Sequence, residues 1–266
     1  MTTLAAEDLD IYYETVGAGP HLLIFNGSGM TIASSRVLIN FLSASFTVLI
    51  HDQRGLGRTG LPSQPKRFTM ADYAADAAAL LDHVGWPSVR VFGISFGGMV
   101  AQEFAVTWPE RVERLALLCT SPGGAGGSSY PLHKLDKLAP AERAGVMLQK
   151  LDTRFSPDWL SSHPSDLALV QQAAERESAP MTAQEREGAR LQLQARSHHD
   201  VWSRLEQIRC PALIACGRYD GIAPAANSKA IASRIPGSTL REYEGGHLFV
   251  LQDPRALVEI VSFLSG

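Results

Sequence analysis

Three residue types that together can activate a hydroxyl each follow a strand-like run in this chain: Ser95, Asp220 and His247. Serine is a poor nucleophile near neutral pH. It needs a base within hydrogen-bond reach, and that base needs a third group to orient it. Ser95 lies in Val91-Phe92-Gly93-Ile94-Ser95-Phe96-Gly97-Gly98-Met99-Val100, where a β-branched and aromatic run enters Gly-x-Ser-x-Gly and then turns helix-like through Met99, Ala101, Phe104 and Ala105. Strand, sharp turn and helix hold a serine at the tip of an elbow with its hydroxyl exposed. Side chains two residues before and after that serine would collide with the neighbouring strand and helix, so glycine is expected at both places. In a chain with 23 glycines the pattern alone is weak, and its context must carry the argument.

The context is two further strand-then-turn segments. Ala212-Leu213-Ile214-Ala215-Cys216-Gly217-Arg218-Tyr219-Asp220-Gly221 ends in a carboxylate, and Leu240-Arg241-Glu242-Tyr243-Glu244-Gly245-Gly246-His247 ends in a histidine. Asp220 is equally placed to cap the next helix, Ser95 to be a plain turn residue, and His247 to be a packed one. Order and register favour a catalytic set, because each residue follows its own strand and all three can meet at one edge of a sheet. His198-His199-Asp200 has no accompanying cluster of ligands and reads as an exposed junction rather than a metal site. Asp52 and Arg54 read as an ion pair bracing their loop. Cys119, Cys210 and Cys216 read as small buried apolar residues, which fits a reducing cytoplasm.

The elements that must position these groups follow from periodicity. Central strands are expected over Leu22–Phe25, Phe46–Ile50, Val89–Ile94, Leu115–Cys119, Leu213–Cys216 and Thr239–Tyr243, and the alternating Leu9–Glu14 is expected as an antiparallel edge strand. Helices are expected over Ser34–Leu42, Met70–Val84, Phe96–Thr107, Ala225–Arg234 and Pro254–Leu264. That alternation describes an α/β fold with a mostly parallel sheet covered on both faces. Residues 121–205 interrupt it. They open on the glycine-rich Pro122–Ser129 and continue Leu/Ala/Gln/Arg-rich, which reads as a helical cap between a core of 1–120 and 206–266. The 266 residues, 45% hydrophobic with net charge −3, describe a globular protein with no attraction to nucleic acid or anionic membranes. The N-terminal Met1–Asp8 lacks the basic and apolar regions of a signal peptide, and no apolar run spans a bilayer.

The order Ser95, Asp220, His247 resembles the α/β-hydrolase superfamily, in its cap-bearing esterase and lactonase branch. His51-Asp52-Gln53-Arg54-Gly55-Leu56-Gly57-Arg58-Thr59, Trp108-Pro109-Glu110-Arg111-Val112 and Gly217–Pro224 are similar to further motifs of that family. Gly97-Gly98-Met99-Val100-Ala101-Gln102 is similar to the matching segment of enol-lactonases and of carboxylesterases. The resemblance implies hydrolysis of a small ester or lactone without a cofactor or metal, through an acyl-enzyme on Ser95. Relatives with the same triad hydrolyse C–C bonds, act as lyases or act as cofactor-free oxygenases. The oxyanion donors it implies are the main-chain N–H groups of Phe96 and Ser28. Asn26 stands where the family has histidine, and Gln252 where it often has glutamate. Asn26, Gly27, Met30, Met99 and Trp159 are candidates for the substrate pocket. Tyr130, Phe155 and Trp202 either line an apolar pocket with them or form the cap's own core. No basic cluster marks an acidic substrate.

Overall fold

The computed structural model describes residues 2–6, 9–63 and 67–266; Met1, Glu7 and Asp8 of the N-terminal stretch considered above, and 64–66, lie outside the described residues. The strands are β1 (Thr3–Ala5), β2 (Asp10–Val16), β3 (His21–Phe25), β4 (Thr47–His51), β5 (Val89–Ile94), β6 (Val112–Leu118), β7 (Ala212–Gly217) and β8 (Thr239–Tyr243). They form one sheet in the order β1-β2-β4-β3-β5-β6-β7-β8, antiparallel from β1 to β4 and parallel from β4 to β8. The helices are α1 (Arg36–Ser43), α2 (Met70–His83), α3 (Phe96–Thr107), α4 (Pro140–Leu151), α5 (Pro157–Ser162), α6 (Pro164–Glu177), α7 (Ala183–Ser197), α8 (Ala225–Arg234), α9 (Phe249–Gln252) and α10 (Pro254–Ser265).

Both faces of the sheet are covered, and this explains the near-continuous apolar runs of its central strands. Leu22 and Ile24 point to one face, where α1 and α10 bring Ile39, Leu42, Ile260 and Leu264. Leu23 and Phe25 point to the other, where α2, α3 and α8 bring Tyr73, Leu80, Val100, Phe104 and Ile231. The expected edge strand is the second strand, because β1 pairs outside it. Three residues with no buried side chain leave β1 without a periodic signature. The strand expected to reach Cys119 ends at Leu118, since Cys119 takes a left-handed φ of 41°, although its N–H still reaches the Ala215 carbonyl of β7 (2.9 Å).

Between β6 and β7 the chain forms α4 to α7, with short 3₁₀ turns and a single isolated bridge, Gly123 to Asp200. Helix α7 starts on a capping box of Thr182 and Glu185 and docks Leu191 and Ala195 into the same cluster as Val100 and Phe104. The loop after β4 differs from expectation. Asp52 accepts the N–H groups of Ile32 (2.7 Å) and Arg58 (2.9 Å), while Arg54 reaches α2 and grips Asp76 at 2.6 and 2.7 Å. The two residues brace their loop separately. Among the described residues no helix is long and apolar enough to cross a membrane.

Two buried histidines give the fold a pH dependence. Burial pushes His51 and His199 down to about 4. The unfolded chain protonates both below ~6.5, whereas the folded chain does so only near 4. In that window the unfolded state binds more protons, so stability falls as pH falls, by up to about 1.4 kcal/mol per pH unit for each histidine. Urea denaturation between pH 7 and pH 4.5 is expected to show this slope, and His51→Gln is expected to remove about half of it, leaving the His199 share.

Candidate active site

Ser95 sits between β5 and α3 with φ 55° and ψ −115°, a conformation that a non-glycine residue holds only when its surroundings enforce it. The surroundings do so by close approach. A Cβ on Gly93 would lie 2.6 Å from Ala101 Cβ, and one on Gly97 would run into the Phe25 carbonyl of β3. The Ser95 N–H donates to the Leu118 carbonyl (2.8 Å), and the Thr120 hydroxyl donates to the Ser95 carbonyl (2.8 Å). The elbow is therefore pinned from β6 as well as β3.

The loops after β7 and β8 bring the other two groups to it. His247 Nε2 lies 2.9 Å from Ser95 Oγ, and His247 Nδ1 lies 2.8 Å from Asp220 Oδ2. Asp220 Oδ1 accepts the N–H groups of Ile222 (2.7 Å) and Ala223 (2.8 Å). The carboxylate thus has one oxygen for the imidazole and one held by its own turn. It does not cap α8, whose N-cap is Pro224. The Asp220 side chain is fully enclosed and that of His247 is 11% exposed. An acceptor at Nδ1 keeps the imidazole proton there, which leaves Nε2 free to take one from Ser95. The Cys119 sulfur lies within 4.8 Å of the ligand atoms of both Asp220 and His247. Burial pushes its thiol well up, so it stays a neutral neighbour.

The first N–H groups of α3 have no acceptor within the helix, and that of Phe96 immediately follows Ser95. Facing it is the loop after β3. A Cβ on Gly27 would lie 3.8 Å from both Ser95 Cβ and Met30 Cγ, which places Gly27 and Met30 beside the serine with Ser28 next in the chain. Asn26 lies beneath this loop. Its Oδ1 accepts the Ser35 hydroxyl at 3.0 Å and its carbonyl accepts Gln53 Nε2 at 3.2 Å. Gln53 in turn bonds Gln192 of α7, whose Oε1 accepts the Gly29 N–H at 2.8 Å. Met99 lines a cavity of about 100 Å³ between α3, residues 121–133 and α7. Trp159 is engaged elsewhere, stacked on His163 at 3.8 Å and donating to Asp166 at 2.9 Å.

The main-chain support from α4 carried no sequence signal. The end of α4 holds the loops of both Asp220 and His247, since the Leu151 carbonyl accepts the His247 N–H (2.6 Å) and the Lys150 carbonyl accepts that of Gly221 (3.1 Å). Gln252 accepts the Gly246 N–H at 2.8 Å and donates to Asp152 and Asp166 at 3.0 Å each. Two facing carboxylates explain why an amide stands there instead of a glutamate. Gln252→Glu replaces that donor with a third carboxylate, and a loss of about 2 kcal/mol or more in urea denaturation is expected. His199, expected in an exposed junction, is 8% exposed because α7 docks it inward, while its neighbours His198 and Asp200 are exposed.

Comparison with known proteins agrees with this architecture. A family profile described as the alpha/beta hydrolase fold matches residues 20–254. The chain belongs to the α/β-hydrolase family. It is 30% identical to "Putative carbamate hydrolase RutD" of Azorhizobium caulinodans, over 96% of this chain and 94% of that one. It is 26% identical to 3-oxoadipate enol-lactonase 2 of Acinetobacter baylyi, over 96% and 92% of the two chains. Among solved structures, an enol-lactonase of Burkholderia xenovorans LB400 superposes with a TM-score of 0.79 at 22% identity, covering all of both chains.

Proposed function

We propose that this protein hydrolyses a carboxylic ester or lactone through an acyl-enzyme on Ser95, with residues 121–205 acting as a cap over the elbow. The observation that carries the reading is the unbroken relay from Ser95 Oγ through His247 to Asp220, at 2.9 and 2.8 Å. In the first half-reaction His247 Nε2 takes the Ser95 proton as the oxygen attacks the substrate carbonyl. The Phe96 and Ser28 N–H groups stabilise the tetrahedral oxyanion, each such donor contributing about 3 kcal/mol. His247 then gives its proton to the leaving alkoxide as the C–O bond breaks. In the second half-reaction it activates the water that releases the acid and restores Ser95. The relatives named for enol-lactone and carbamate hydrolysis support this reading, because both bonds are opened by attack at an acyl carbon. The substrate is read as a small molecule, consistent with a net charge of −3 and against nucleic acid.

Stopped-flow mixing with 4-nitrophenyl acetate is expected to give a nitrophenolate burst equal to the enzyme concentration, followed by steady turnover. A panel of esters and lactones with no turnover at all would overturn the proposal. C–C bond hydrolysis and proton transfer without hydrolysis use the same three residues, but neither predicts that burst.

A further inference from the structure

We propose that Arg196 makes the cavity beside Met99 a carboxylate subsite, so that the substrate attacked at Ser95 is an ester or lactone bearing its own carboxylate a few carbons from the reacting carbonyl. The inference rests on the hydrolase reading above and names the substrate class for that site.

Arg196 lies near the end of α7 and is only 7% exposed. Among the described residues its guanidinium has the Tyr130 carbonyl as a partner, at 2.8 Å, and no carboxylate; its Nε is buried with no partner. Burial lowers its pKa to about 10, partly opposed by the attraction of Asp220, which leaves it charged at neutral pH. Asp220 acts on it only through space: among the described residues its carboxylate bonds His247 and the Ile222 and Ala223 N–H groups, and no hydrogen bond or ion pair joins it to Arg196. An enclosed guanidinium without an anion is costly in the resting protein. That cost is offset when a ligand carboxylate arrives, since a guanidinium offers it a planar pair of donors.

The cavity fits such a group. Its volume of about 100 Å³ is several times that needed for one water, and Ser128, Ser129, His133 and His199 line it together with Arg196 and Met99. No acidic side chain lines it. His199 adds a second enclosed and unpartnered polar atom, Nε2. After burial, the groups that lower the His133 imidazole are Lys134, Arg196, His198 and Lys137, so the surroundings carry one sign of charge. Met99 stands one turn of α3 from Ser95, its N–H 3.3 Å from the Ser95 carbonyl, or roughly 6 Å along the helix axis. The sequence shows no basic cluster because these groups come from separate segments: the glycine-rich loop, the turn after it and α7.

The test compares two esters of equal chain length, mono-4-nitrophenyl glutarate and 4-nitrophenyl valerate. The wild-type protein is expected to favour the glutarate in kcat/KM by at least about tenfold. Arg196→Gln is expected to lower that ratio about 30-fold or more, and Arg196→Lys, which keeps the charge but not the paired donors, to lower it less. Ser129→Asp, at a half-buried lining position, is expected to lower the ratio as well, and it carries the test if Arg196→Gln does not fold. A merely structural role for Arg196 would lower both esters alike. Turnover of both esters with no preference for glutarate, or an equal loss on both in Arg196→Gln, overturns the subsite and leaves the hydrolase reading intact. Turnover of neither, together with none across the ester and lactone panel, overturns the hydrolase reading. Calorimetric binding of free glutarate, present in the wild type and lost in Arg196→Gln, then supports the anion site on its own, and no binding overturns it.

Discussion

Ser95→Ala is expected to lower kcat for ester hydrolysis by roughly 10⁵- to 10⁶-fold while leaving the protein folded. The methyl group keeps the volume at the elbow and removes only the oxygen that His247 Nε2 approaches at 2.9 Å. The residual rate should still exceed that of water alone, because the Phe96 and Ser28 N–H groups and the binding pocket are untouched. Stability should be little changed, since among the described residues the Ser95 side chain has His247 Nε2 as its one hydrogen-bond partner. Steady-state rates on 4-nitrophenyl acetate, with a thermal melt beside them, check both parts. Retention of more than a few per cent of wild-type kcat would remove Ser95 from its proposed role.

Asp220→Asn is expected to cost about 10⁴-fold in kcat with almost no change in shape. The reason lies in which atoms face the carboxylate. Oδ1 accepts two N–H groups, from Ile222 and Ala223, so the amide oxygen of asparagine is held on that side and its NH₂ turns toward His247 Nδ1. A donor there forces the imidazole proton onto Nε2, where it faces the serine and blocks proton removal. Asp220→Glu, which keeps an acceptor but lengthens the arm, is expected to lose less. Equal activity in Asp220→Asn and wild type would show that the imidazole is not oriented by this residue.

The parts of the site legible in the sequence are those fixed by backbone geometry. Gly93 and Gly97 mark an elbow because no side chain fits against Ala101 or the Phe25 carbonyl, and strand-then-turn spacing put Asp220 and His247 at the same sheet edge. The parts not legible depend on side chains that meet only after folding. Arg54 lies two residues from Asp52, yet its partner is Asp76 in α2, 22 positions away. Arg196 and Gln192 sit in a polar helix whose composition reads as a solvated face, and only the docking of α7 through Leu191 and Ala195 turns them inward. Trp159 reads as a pocket candidate because it is large and aromatic. Its ring is occupied by His163 and its indole N–H by Asp166, so it supports the Gln252 side of the His247 loop instead.

The central claim is that Ser95 forms a covalent bond with the substrate acyl group, and intact-protein and peptide mass spectrometry test it most directly. Protein quenched in acid during turnover of a slowly deacylating 4-nitrophenyl ester should carry one acyl group, located on the peptide containing Ser95 and absent from Ser95→Ala. Turnover at an undiminished rate with no acyl group on that peptide, or with the label on another residue, would contradict the account.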